Sequence, residues 1–216
     1  MGKIIQYKQL GNRTSYKGTK DFKMCRKLVT DIRSKSSQLI DMPERAQEVL
    51  DYFKINERNG EVPIVEILMK FGFKIFQSDL KPDGLSAYIA VDPKFEDRFK
   101  SNKITCVHID DNIGHKRFAL THELAHYLFD FNEDKQLYYY NTYFPLKEKD
   151  SFEEKRANQF AANLLMPEKL FRKKLCELEK VNGKADTVNA LGHYFSVSPT
   201  AVLRRFEELQ IAGYDS

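Results

Sequence analysis

A chain of 216 residues, 42% hydrophobic and 31% charged, can bury a sizeable core, and no apolar run approaches the roughly 20 residues of a membrane span. The N-terminus is basic but lacks the apolar stretch of a secretory signal, so a cytoplasmic protein is expected. Cys25, Cys106 and Cys176 are odd in number and far apart, which suits neither a disulfide framework nor a C-x-x-C metal site.

Charge is uneven. Residues 1–40 hold ten Lys/Arg against two Asp, a balance of +8, so the rest of the chain carries −4 of the overall +4. Such a basic arm could bind nucleic acid or an acidic partner, although a solvated helix face is the commoner use. Residues 11–19 read as loop and 21–40 as a basic amphipathic helix. Pro43 at a first helical position starts a second helix, with Ala46, Val49, Leu50 and Phe53 on one face and a stop near Asn59-Gly60. Pro63 opens a third, with Ile64, Val65, Ile67, Leu68 and Phe71 inward and Gly72 closing it.

Three strands are then expected at 73–77, 85–91 and 104–109, separated by the turn signals Lys81-Pro82-Asp83-Gly84 and Asp92-Pro93. The first two are expected to pair antiparallel. Asp110-Asp111-Asn112 leads on to the most informative segment, His122-Glu123-Leu124-Ala125-His126. In a helix, a spacing of four brings both imidazoles onto one face, where they can share a metal ion. A carboxylate one residue after the first imidazole points near a metal-activated water, which makes Glu123 the candidate general base. Phe118, Leu120, Leu124, Ala125, Leu128 and Phe129 place this helix inside the protein, where imidazoles and a carboxylate need a partner such as a metal. His108 alternates with apolar neighbours and reads as structural.

Residues 130–150 contain Tyr138, Tyr139, Tyr140, Tyr143 and Phe144, a composition suited to shaping a cleft or to local packing. In 153–167, apolar residues at 157, 160, 161, 164 and 165 recur at helical spacing and Pro167 marks the stop. Glu154 leads onto that stripe and is the expected third metal ligand, with Glu153, nearer the charged face of Lys155 and Arg156, as the alternative. Asn158, one turn on, could hydrogen-bond a ligand. Zn²⁺ is the expected ion, with Mn²⁺ or Fe²⁺ also compatible with two imidazoles and a carboxylate.

The two segments in this order, His122-Glu-Leu-Ala-His126 and Glu154-x-x-Ala157-Asn158-x-Phe160-Ala161-Ala162-x-Leu164-Leu165-Met166-Pro167, resemble the ImmA/IrrE family of metallopeptidases. The resemblance implies His122, His126 and Glu154 as zinc ligands and Glu123 as catalytic carboxylate. It also implies cleavage of a helix-turn-helix repressor, and a zincin-like core in which an exposed strand, here 85–91, holds the substrate backbone beside the metal. The spacing by itself supports a metal-dependent hydrolase.

Beyond Pro167, residues 185–195 and 198–209 read as two helices joined at Ser196-Val197-Ser198-Pro199, with Ser198 as N-cap. This is a helix-turn-helix outline, with Thr200, Arg204 and Arg205 as the exposed residues were it to read DNA. Glu207 and Glu208 would repel phosphates, and packing or repressor contact is the favoured use. The expectation is an α+β protein: a basic arm and helix at 1–40, a metallopeptidase core at 41–168 with a small three-stranded antiparallel sheet, and a helical segment at 169–216. A DNA- or repressor-binding regulator with a structural or inactive metal site is the alternative.

Overall fold

The computed structural model describes residues 5–6, 20–55, 60–80, 85–131, 138–140 and 151–214. Nine helices and five strands lie among them: β1 (Ile5–Gln6), α1 (Lys20–Arg33), α2 (Met42–Tyr52), α3 (Ile64–Lys70), β2 (Lys74–Ser78), β3 (Ala87–Val91), α4 (Phe95–Phe99), β4 (Lys103–His108), α5 (Ile113–Phe129), β5 (Tyr138–Tyr140), α6 (Phe152–Leu165), α7 (Glu168–Leu178), α8 (Lys184–Phe195) and α9 (Pro199–Glu208). The mixed, mostly helical class is as the sequence predicts. The short α4 and the amphipathic α7 are additions to that reading. The 11–19 loop and residues 141–150, with Tyr143 and Phe144, lie outside the described residues.

The three expected strands form the centre of the sheet, but in a different arrangement. Its order is β1-β2-β4-β3-β5, so β4 separates the two strands expected to be neighbours. β2 runs parallel to β4, Phe76 opposite Cys106, while β3 runs antiparallel to it, Ile89 opposite Thr105. The physical reason lies in β4 itself: residues 104–108 are all buried, which only a strand covered on both faces tolerates, so it takes the central place. The expected substrate edge is also corrected, because β5 pairs with Ile89–Val91 on the side of β3 away from β4.

One face of the sheet, through Ile75, Ala87, Ile89 and Val107, joins the main core with α5, α6 and the C-terminal helices. The other face, Phe76, Ala90, Ile104 and Cys106, is covered by Phe95 and Phe99 of α4. In the main core α5 packs on α6, with Leu124, Ala125 and Leu128 of the one and Ala157 and Phe160 of the other in the same cluster, and Phe129 meets Phe160 edge to face. Alanines at 157 and 161, both fully buried, are small enough to let neighbouring helices approach closely.

The C-terminal helices are anchored to the start of α5. A Cβ on Gly114 would stand 2.7 Å from the Ser198 nitrogen and 2.7 Å from the Val197 carbonyl carbon, so backbone meets backbone there. Arg117 reinforces the seam, donating to Ser196 O at 2.9 Å and to Val62 O at 2.7 Å while pairing with Glu61 at 3.0 Å. Gly114→Ala is therefore expected to cost about 1–3 kcal/mol, the scale of overpacking a dense interior, read as a lowered midpoint in urea. Ser198 caps α9 as predicted, accepting from Ala201 N at 3.2 Å.

Of the three residues expected to face outward on α9, Thr200 and Arg204 do so and Arg205 does not. Arg205 is 2% exposed and reaches across to the end of α6, donating to Met166 O at 3.2 Å and Asn163 Oδ1 at 2.8 Å. An α9 position facing the core satisfies a guanidinium here because the terminal carbonyls of α6 need donors. No helix among the described residues is long and apolar enough to cross a membrane.

Candidate metal centre

The site is assembled by two capped helices. Asn112 caps α5 by accepting from His115 N, and Ser151 caps α6 by accepting from Glu154 N at 3.2 Å, so the expected third ligand stands in the first turn of a fixed helix. At the other end of α5, Arg33 of the basic α1 donates to Tyr127 O at 2.6 Å and Leu128 O at 3.1 Å. That arginine closes the helix bearing His122 and His126 rather than belonging to a solvated basic face.

His122, His126 and Glu154 meet. The two imidazole Nε2 atoms are 3.0 Å apart, Glu154 Oε2 is 3.2 Å from His122 Nε2, and Glu154 Oε1 is 3.2 Å from His126 Nε2. Ligands bound tetrahedrally at about 2.0–2.1 Å stand about 3.3 Å from one another, so this triangle has the size of one face of a zinc coordination sphere. Glu153 is exposed, whereas Glu154 is the glutamate that joins the two imidazoles in a group able to hold a metal ion. Among the described residues no other group of His, Cys, Asp and Glu could hold a metal ion in this way.

The tautomers point the same way. His122 Nδ1 lies 3.0 Å from Asn158 Oδ1 and His126 Nδ1 lies 2.8 Å from Asp130 Oδ2. Both partners accept, so both Nδ1 atoms carry hydrogen, and the two Nε2 atoms are turned toward one another and toward Glu154. A proton shared at Nε2 satisfies that arrangement in the metal-free chain, and a divalent cation could take its place.

Glu123 follows on the same helix, 5% exposed, and its Oε2 is buried without a hydrogen-bond partner among the described residues. Burial pushes its carboxyl up; the imidazoles of His122 and His126 and the Ile89 N–H pull it back, and Glu154 pushes it further up, with a net upward shift. An orphaned buried carboxylate oxygen beside three converging donors is what a site holding a water or a substrate group requires. Burial also works against a charged His126, but its hydrogen bonds to Asp130 and Glu154 and the charges of Glu123 and Asp130 outweigh it and hold the imidazole up at about 9. For Glu154, burial is outweighed by the hydrogen bonds and charges of the two imidazoles, which hold the carboxyl far below the usual range.

A pH dependence follows for the metal-free chain. A folded pKa of about 9 against an ordinary 6.5 means that His126 contributes stability fully below pH 6.5 and loses it as pH rises through 9. Glu154, depressed, contributes above its ordinary 4.5 and loses that contribution only in strong acid. Thermal scans of metal-stripped protein should show Tm falling between pH 6.5 and 9. The stabilisation by added zinc should grow over the same interval, because the metal must displace the proton.

His108 is structural, as expected: it is buried and its Nδ1 accepts the Leu80 N–H at 3.1 Å. Two residues of the site escaped the sequence. Asp130, one turn beyond His126, and Arg156, read as part of a charged face, form a buried ion pair behind the second imidazole. The i,i+4 spacing from His126 to Asp130 was the available signal for the first. Nothing in the local sequence marked the second.

A mixed α+β chain with a helix-borne H-E-x-x-H segment and a carboxylate supplied by the next core helix is thereby defined as metallopeptidase-like. Residues 68–207 match the Peptidase_M78 family model, described as the IrrE N-terminal-like domain, and the chain belongs to that family. No curated protein matches the chain significantly. Among solved structures it is similar in fold to a Mycobacterium tuberculosis transcriptional regulator, with a TM-score of 0.52 at 16% identity. The match covers 92% of this chain and 55% of that one, so the chain spans little more than half of that relative's length.

Proposed function

We propose that this protein is a zinc-dependent endopeptidase of narrow specificity that cleaves a helix-turn-helix transcriptional repressor in the cytoplasm and so releases its genes. The observation that carries the reading is the convergence of His122, His126 and Glu154 within 3.0–3.2 Å of one another, with a buried carboxylate oxygen of Glu123 alongside that has no hydrogen-bond partner among the described residues. In its terms His122, His126 and Glu154 hold the ion and Glu123 is the catalytic base. The catalytic part falls within 41–168, flanked by the basic arm of 1–40 and the helical segment of 169–216.

Held by His122, His126 and Glu154, a divalent ion would supply Lewis-acid chemistry, lowering the pKa of a bound water toward 7 and polarising a peptide carbonyl. The protein does the rest. Glu123, dehydrated and therefore more basic than a surface glutamate, takes a proton from the attacking water and delivers it to the departing amine. Asn158 and Asp130 engage the Nδ1 atoms of the two imidazoles, so that each would turn its Nε2 toward the ion.

The test is incubation of the zinc-loaded protein with the helix-turn-helix protein encoded beside its gene. One discrete cut that is lost in Glu123→Gln supports the reading, and an intact target refutes it. A second reading, a regulator whose metal is structural, is favoured by one observation: the paired α8 and α9, whose turn is fixed against α5 at Gly114. Under that reading Glu123→Gln would keep full biological activity.

A further inference from the structure

We infer that Asp130 and Arg156 are positioning residues of the metal centre, a buried carboxylate–guanidinium pair that orients His126 and ties the two ligand-bearing helices together behind it. The inference rests on the metal-centre reading above. Asp130 sits where α5 ends and gives one carboxylate oxygen to His126 Nδ1 at 2.8 Å. Its other oxygen is ion-paired with Arg156 of α6, two residues beyond Glu154. The two side chains are only 10% and 8% exposed. Arg156 is fixed in turn: it donates to Ser37 Oγ at 3.2 Å, and its guanidinium lies over the rings of Phe129 and Phe152 at 5.4 and 5.1 Å.

Two physical arguments separate this role from plain packing. A buried ion pair seldom stabilises a fold more than an apolar pair of the same size would, so stability alone is a weak reason for one here. Charge supplies the other reason. A dication and Arg156 formally balance the three carboxylates Glu123, Glu154 and Asp130, and without Arg156 a buried excess of negative charge would remain beside His126.

Helix α6 thus orients both histidines as well as donating a ligand. Asn158 holds His122 directly, and Arg156 holds His126 through Asp130. Neighbours that fix a ligand's ring and tautomer are worth about 10–100-fold in metal affinity.

The experiment measures zinc affinity of the full chain by competition with a chromophoric chelator, together with the ring ¹⁵N shifts of His126 in alkaline, metal-free protein, where the ring is neutral and the shifts report its tautomer. Asp130→Asn, nearly isosteric, and Arg156→Met are each expected to weaken zinc binding about 10–100-fold and to mix the His126 tautomers. Arg156→Lys is expected to recover most of the affinity and keeps the test alive should the methionine variant not fold. Zinc affinity within twofold of the parent and an unchanged tautomer in folded Asp130→Asn would overturn the inference. A parent chain that takes up no zinc would overturn the metal-centre reading itself, and this inference with it.

Discussion

Glu123→Gln is expected to bind zinc as tightly as the parent chain and to lose target cleavage by about 10²–10⁴-fold, the range a positioned general acid–base supplies. Glutamine keeps the volume and one carbonyl oxygen, so the packing around a residue only 5% exposed survives. The amide cannot accept the water's proton. Because Glu123 is not one of the three converging donors, its neutralisation leaves the coordinating triangle whole. Zinc content and cleavage measured on the same preparation check the separation, and joint loss of both would mean that Glu123 supports the metal rather than the chemistry. Removing a buried, dehydrated carboxylate should also leave the variant no less stable than the parent at neutral pH, since the upward shift of Glu123 marks its ionised form as costly.

Glu154→Ala should instead abolish stoichiometric zinc, with an affinity loss beyond the 10–100-fold typical of groups that only support ligands. Two imidazoles from one turn of helix make an incomplete site, and the carboxylate that spans both Nε2 atoms is the single contribution α6 makes to the triangle. The helix itself should persist, because Ser151 still caps it and Ala157 and Phe160 keep their places in the core shared with α5. Equilibrium dialysis followed by metal analysis reads the outcome. Full retention of zinc in this variant would remove Glu154 from the ligand set. Glu153→Ala, changed at an exposed position, should behave as the parent does.

Local patterns pointed to most of the candidate site. Four-residue spacing on a helix is a short-range fact, so His122, Glu123 and His126 could be singled out directly, and the apolar stripe of 157–165 favoured Glu154 with Glu153 as the alternative. The same logic placed Asn158. What failed was long-range: strand order depends on which strand is buried on both faces, and the run Ile104 to Val107 told of burial without telling which strands flank it. The outer strand β5 was masked by a tyrosine-rich stretch that reads equally as loop. Arg156 and Arg205 were assigned to solvent because arginine usually lies there, yet each finds buried acceptors on an element distant in sequence, Asp130 for one and the end of α6 for the other. Such partners are visible only once the helices are packed.

The most direct measurement is anomalous diffraction at the zinc edge from crystals grown with one equivalent of zinc. A single peak about 2.0–2.2 Å from His122 Nε2, His126 Nε2 and a Glu154 oxygen is the expected result. Zinc held elsewhere on the chain, or absent while the three side chains keep their places, would contradict it.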